Sequence, residues 1–68
     1  MLRVKEAVVK AVKQSEVRKW IYFITVDDGF GEIKVVGRKN YEIGKVLLIK
    51  QRTPIDFIFD IVGEKEAK

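Results

Sequence analysis

Hydrophobic and polar residues alternate along much of this 68-residue chain. A period of two is typical of β-strands, in which successive side chains point to opposite faces of a sheet. Five segments show this alternation or an unbroken run of β-branched and aromatic residues: residues 2–13, 19–27, 32–37, 45–50 and 55–62. The links between them are short and polar or contain glycine. The pattern predicts an all-β protein with five strands and hairpin-length connections.

The first segment changes phase in its middle. Apolar residues alternate with charges until the pair Val8-Val9, after which the alternation resumes. A helix is the alternative for this segment because Lys, Glu and Ala are good helix formers. Four valines in twelve residues and the lack of an N-cap residue favour a strand. A phase change within a strand indicates a β-bulge, which bends a long strand at the corner of a small barrel.

Residues 27–31, Asp-Asp-Gly-Phe-Gly, separate the second and third segments. Asp-Gly between β-branched runs indicates a hairpin, because Gly adopts positive φ at little cost. Gly31 adds a second flexible position and favours a bulged loop. The three carboxylates here, Asp27, Asp28 and Glu32, match no calcium loop, and we expect them to accept hydrogen bonds from turn amides instead of binding a metal.

The turn and the later run Gly44-Lys45-Val46-Leu47-Leu48-Ile49 resemble the middle of an oligonucleotide/oligosaccharide-binding (OB) fold. The resemblance extends over about residues 4–62 and implies a small five-stranded barrel, with an SH3-like barrel as the alternative. Residues 38–44 are too few for the helix that many OB domains place between strands three and four. We therefore expect side chains such as Tyr41 and Ile43 to close that end of the barrel.

The composition limits the chemistry. The chain contains neither Cys nor His, which excludes disulfides and the usual zinc ligands and leaves no activated nucleophile. We expect no enzymatic activity and no cofactor. A barrel over residues 1–63 and a charged, frayed tail over residues 64–68 account for the whole chain. The charged fraction of 35%, with one Asn and two Gln, is typical of heat-adapted proteins.

Charge is distributed unevenly. The net charge is +4, but residues 1–53 carry 12 basic and 6 acidic groups, and residues 54–68 carry 2 basic and 4 acidic groups. The positive potential on the first four strands suits a polyanionic partner. No apolar run approaches the roughly 18 residues of a membrane span, and the N-terminus lacks a signal-peptide core. We expect no membrane association and a cytoplasmic or nucleoid-associated location.

The resemblance also assigns faces. If Val26 points inward, as the residue before the turn does in OB proteins, strand alternation places one set of residues on the outer face of strands two and three. These are Ile21, Phe23, Thr25, Lys34, Val36 and Arg38. A base stacks on an aromatic ring for about 1–3 kcal/mol, and Lys and Arg neutralise phosphates. A register shifted by one residue would instead bury Phe23 and expose Tyr22.

In OB proteins the loops after strands one and four flank the ligand. Here the first loop and its flanks offer Lys13, Arg18, Lys19 and Trp20, the second offers Arg52, and Lys39 follows strand three. Trp20 either stacks on a base or covers one end of the barrel.

We expect sequence-tolerant binding of single-stranded DNA or RNA. The alternative is an OB-type interaction subunit of a larger assembly or homodimer, with Ile21, Phe23, Val36 and Leu47 in the interface. Coating of double-stranded DNA ranks third, because +4 is a small basic excess for that role.

Overall fold

The structure is a computed structural model that describes residues 3–52 and 58–65. Five strands form in chain order: β1 Val4–Gln14, β2 Tyr22–Asp27, β3 Glu32–Gly37, β4 Val46–Gln51 and β5 Phe59–Glu64. No helix occurs in these residues, so the predicted all-β class is confirmed. Leu2 and residues 55–57, which the sequence assigns to the first and fifth strands, lie outside the described residues.

All five strands belong to one sheet in the order β3-β2-β1-β4-β5, and each neighbouring pair is antiparallel. The long central strand β1 pairs with β4 through its first half and with β2 through its second half. The sheet curls until the edge strands β3 and β5 approach each other. The result is a curled half-barrel, which is compatible with an OB-like fold.

The bend in β1 coincides with a bulge. Val9 pairs with Val26 and Ala11 pairs with Thr25, so Lys10 is the extra residue. Because of the insertion, inward positions change phase from Ala7 and Val9 to Val12. The predicted phase change is confirmed and follows directly after Val8-Val9.

The core lies on the concave side of the sheet and is entirely hydrophobic among the described residues. Its fully buried members come from the first four strands: Ala7, Val9, Ile24, Val26, Val35, Leu47 and Ile49. Tyr22 and Ile33 pack against this cluster, so the inward phase predicted for strands two and three is confirmed. Leu47 has no exposed surface, and its predicted place in an exposed apolar interface is therefore wrong.

The end of β3 packs closely on its neighbours. A Cβ atom on Gly37 would lie 2.9 Å from Ile24 Cδ1 and 3.1 Å from Ile61 Cδ1. The missing side chain lets β5 close against β3. Tyr41 packs against the core here, as predicted, but Ile43 is 64% exposed and does not help to close the barrel.

The last strand extends further than the sequence indicates. Glu64 is part of β5, and its carboxylate lies 2.9 Å from Lys39 Nζ and 3.4 Å from Lys45 Nζ. The backbone N–H of Lys65 donates to the Val46 carbonyl at 3.0 Å. The predicted start of the frayed tail at residue 64 is therefore wrong, because charges that lack a periodic pattern find partners in the fold.

Candidate nucleic-acid interface

On the convex face of β1, β2 and β3, side chains that are paired across the strands form rows. Phe23 lies between Lys13 on β1 and Val36 on β3, and the next row places Thr25 opposite Lys34. Phe23 is 48% exposed and Val36 57% exposed. The alternative register, with Phe23 in the core, is wrong. The ring stands on the outer face, with an exposed cation beside it in its own row and another in the adjoining row.

Three cations on this face have no ion pair within the described part of the chain: Lys13, Lys34 and Arg38. All three are exposed. Their charges are therefore available to a ligand without breaking an internal contact.

Two shallow depressions run side by side over this surface. The smaller, of about 160 Å³, includes Lys13, Phe23, Thr25 and Lys34 in its lining. The larger is a groove of about 590 Å³ beside the edge strand β3, with Ile21, Lys34, Val36 and Arg38 on one wall and Arg52, Ile58 and Asp60 on the other. Lys34 borders both depressions, and together they include all six outer-face residues predicted from the sequence. We call the two depressions together the track.

The loop between β1 and β2 is held by its own polar groups. Ser15 Oγ accepts hydrogen bonds from the backbone N–H groups of Val17 at 3.3 Å and Arg18 at 3.1 Å. Gln14 Nε2 donates to the Lys19 carbonyl at 2.7 Å. These contacts fix the loop that carries three of the predicted binding residues, Arg18, Lys19 and Trp20.

Trp20 lies in this loop, before β2 begins, and is 56% exposed. The Arg18 guanidinium carbon lies 5.8 Å from the centroid of its ring, a distance at which a cation interacts with an aromatic face. Trp20 is absent from the described, partly buried residues that pack against the core, so the structure does not place it as a cover over that cluster. The loop thus presents a second exposed aromatic next to a cation.

Arg52 forms a bidentate ion pair with Asp60 on the same wall of the groove. Its Nη2 lies 2.6 Å from Asp60 Oδ1, and its Nε lies 3.1 Å from Asp60 Oδ2. The hydrogen bonds from Arg52 lower the pKa of Asp60 below its ordinary value. Arg52 therefore lines the track as predicted, but it is engaged by a carboxylate that the sequence reasoning did not include.

Lys39 lies outside the track. Its Nζ donates to Glu64 at 2.9 Å and stands 5.4 Å from the Tyr41 ring centroid. The bond to Glu64 raises the pKa of Lys39 and lowers that of Glu64, to which Lys45 also contributes. Lys39 lines a separate small cavity with these residues, so the structure does not bring it to the predicted interface.

The β2–β3 turn is built around its two aspartates. Asp27 Oδ1 accepts from the Gly29 N–H at 2.8 Å, and Asp28 Oδ1 accepts from the Phe30 N–H at 2.8 Å. The other oxygen of Asp28 lies 2.7 Å from Lys5 Nζ, and this contact with Lys5, together with the backbone bonds, lowers the pKa of Asp28. Gly29 has φ of 95°, as the Asp-Gly signal predicts. The expectation that the aspartates serve turn amides is confirmed.

Negative and positive charges lie at opposite ends of the outer face. Asp27 and Glu32 face each other at its turn end, while Arg38 and the loop cations Arg18 and Lys19 follow its other end. No group of three or more acidic side chains in the described ranges is arranged to hold a metal ion. A polyanion would be repelled at the turn and attracted towards the middle and the loop.

In comparisons with known proteins, no family model, no curated protein and no solved structure matches the chain. Over residues 3–52 and 58–65, no helix is long and apolar enough to cross a membrane.

Proposed function

We propose that this protein is an OB-like binder of single-stranded nucleic acid, DNA or RNA, that engages its ligand on the convex face of β1–β3. The observation that carries the proposal is the exposed Phe23 ring, next to Lys13 and one row from Lys34, on a track that continues to Arg38. A flat apolar surface with available cations on its flanks is what an unpaired strand requires, since its bases stack and its phosphates need countercharge.

The lining of the track favours single strands without base preference. Thr25 is the one uncharged polar side chain among the described residues that line the two depressions. Discrimination between bases depends on hydrogen bonds to their edges, whereas stacking accepts any base. Stacking on Phe23 also requires an exposed base face, which a duplex conceals within its own stack. Binding should therefore tolerate sequence and discriminate against double strands.

The charge gradient suggests a path for the strand. Asp27 and Glu32 repel phosphates from the turn end of the face, while Lys13 and Lys34 attract them near Phe23. A strand that crosses β1, β2 and β3 at the level of Phe23 meets these cations and avoids the carboxylates. Such a path leads into the groove bordered by Arg38.

Salt-dependent fluorescence anisotropy tests the proposal, with a labelled oligothymidine, the matching oligouridine and a duplex of equal length. If Lys13, Lys34 and Arg38 each neutralise one phosphate, the logarithm of the association constant falls with that of the salt concentration with a slope of about −2, at about −0.7 per phosphate. Lys34→Gln should make the slope less steep by about 0.7. Lys65→Gln is the control, because Lys65 pairs with Glu6 and lines neither depression. Salt-independent binding, or none at micromolar protein, contradicts the proposal.

A protein interface on the same face is the second candidate. Phe23 and Val36 are both about half exposed and lie directly opposite each other, and paired exposed apolar side chains also suit association of subunits. Sedimentation equilibrium separates the two functions. A dimer that Phe23→Ala dissociates, together with no affinity for oligonucleotides, would favour the interface.

A further inference from the structure

Among the described residues that line the groove beside β3, one is a carboxylate in the company of three cations. Asp60 shares its lining with Lys34, Arg38 and Arg52. Phe59 and Ile61, its neighbours in β5, pack against the core, so strand alternation directs Asp60 outward, opposite Lys50 on β4. A negative charge is thus built into the wall of a surface that otherwise attracts phosphate.

The contact between Asp60 and Arg52 uses the part of Arg52 best suited to phosphate. A guanidinium presents its Nε and one terminal nitrogen as a fork that binds two oxygens of a carboxylate or a phosphate alike. Asp60 occupies that fork through Nε and Nη2, at 3.1 and 2.6 Å. A phosphate that enters the groove therefore meets both an occupied donor edge and a like charge.

We propose that Asp60 acts as an internal competitor for the phosphates of the ligand: it holds Arg52 and limits the electrostatic part of binding in the groove. This inference rests on the proposed function and adds a regulatory residue to the same site. While the pair is intact, the strand is held by stacking on Phe23 and by Lys13, Lys34 and Arg38. Removal of the carboxylate charge opens the Nε–Nη2 edge of Arg52 to an additional phosphate.

A double-mutant cycle on Asp60 and Arg52 tests this arrangement. Anisotropy titrations with the labelled oligothymidine compare the wild type with Asp60→Asn, Arg52→Gln and the double variant. Exposed ion pairs of this kind correspond to about 1.4- to 5-fold in an equilibrium constant, so Asp60→Asn should tighten binding by a factor in that range. Its salt slope should steepen by about 0.7, the contribution of one phosphate. Arg52→Gln should have little effect in the wild type and should abolish the whole gain in the Asp60→Asn background.

Two controls keep the test specific. Glu6→Gln removes the same charge and an ion pair, that with Lys65, outside both depressions. Asp60→Ser repeats the neutralisation with a different side chain, and thermal melts followed by circular dichroism establish that each variant is folded.

An Asp60→Asn variant that binds no more tightly than Glu6→Gln overturns the inference. The inference is also overturned if Arg52→Gln lowers the affinity of the wild type for oligothymidine as much as it lowers the affinity of Asp60→Asn. Either result with a wild type that binds oligothymidine refutes the competitor alone. A wild type that binds no single strand refutes the proposed function, and the inference with it.

Discussion

Removal of the Phe23 ring is the perturbation that bears most directly on stacking. The ring stands on the outer face, 48% exposed, in a row with Lys13 and Val36. Its buried half packs against its neighbours, and its open face is available to a base. Phe23→Ala removes both contributions, whereas Phe23→Leu keeps most of the apolar volume and loses the flat aromatic face.

The size of the effect follows from this half-exposed position. A base–aromatic stack contributes about 1–3 kcal/mol, and a ring that offers one face to one base belongs in the lower part of that range. A loss of about 1–2 kcal/mol raises Kd by about 5- to 30-fold. Truncation of a fully buried Phe costs about 3–5 kcal/mol of stability, so a half-buried ring should cost about half as much. Phe23→Leu should weaken binding with a smaller loss of stability.

The assay is anisotropy with labelled oligothymidine, at a temperature where circular dichroism shows each variant to be folded. Phe30→Ala is the matched control. Phe30 is 99% exposed at the tip of the β2–β3 turn and lines neither depression. The Phe30→Ala variant should therefore bind oligothymidine with the affinity of the wild type. If Phe30→Ala loses as much affinity as Phe23→Ala, or if Phe23→Ala and Phe23→Leu bind within twofold of the wild type, the stacking argument is refuted.

Three further outcomes follow from the packing and the charges. Gly37→Ala should lower the free energy of unfolding in urea by about 1–3 kcal/mol, because the new Cβ would lie 2.9 Å from Ile24 Cδ1. The control Gly31→Ala, whose Cβ would have no atom within 4 Å, should change that free energy by less than about 0.5 kcal/mol. Equal losses in the two variants would contradict the close packing at Gly37. The folded-state pKa of Asp28 is lowered from 3.8, so its stabilising contribution is present above that pH and is lost as the pH falls through the lowered value. Melting temperatures measured below pH 4 should accordingly fall less steeply for Asp28→Asn than for the wild type, and parallel curves would exclude the Lys5–Asp28 pair as a cause. Quenching of the intrinsic fluorescence of Trp20, the single tryptophan, should accompany addition of oligothymidine, and unchanged emission at saturation would place the strand away from the β1–β2 loop.

Much of the fold is encoded locally and could be predicted. The Asp-Asp-Gly turn determines the β2–β3 hairpin, and strand alternation from Val26 fixes which side of β2 enters the core. The same alternation places Phe23 and Lys34 on the outer face, where the structure has them. The bulge in β1 was visible in the Val8-Val9 phase change because an inserted residue shifts every later side chain.

The parts that failed depend on side-chain contacts between strands and loops. The salt bridge between Arg52 and Asp60 follows from the β4–β5 hairpin, which brings the two residues together on one wall of the groove. The engagement of Lys39 by Glu64 joins residues 25 positions apart. Local patterning predicts the face of the sheet on which a side chain lies, but it does not predict which residue of another strand or loop that side chain contacts. Outward alternation between Phe59 and Ile61 was the one available signal that Asp60 would line the groove.

The most direct test of the binding face is a ¹⁵N–¹H correlation spectrum recorded during titration with oligothymidine. The largest shift changes should cluster on the convex face, at Lys13, Phe23, Thr25, Lys34, Val36 and Arg38. The amides of β4 and of the β2–β3 turn should change least. Changes centred on β4 or on the acidic turn, with the convex face unmoved at saturation, would contradict the assignment of this surface to nucleic acid.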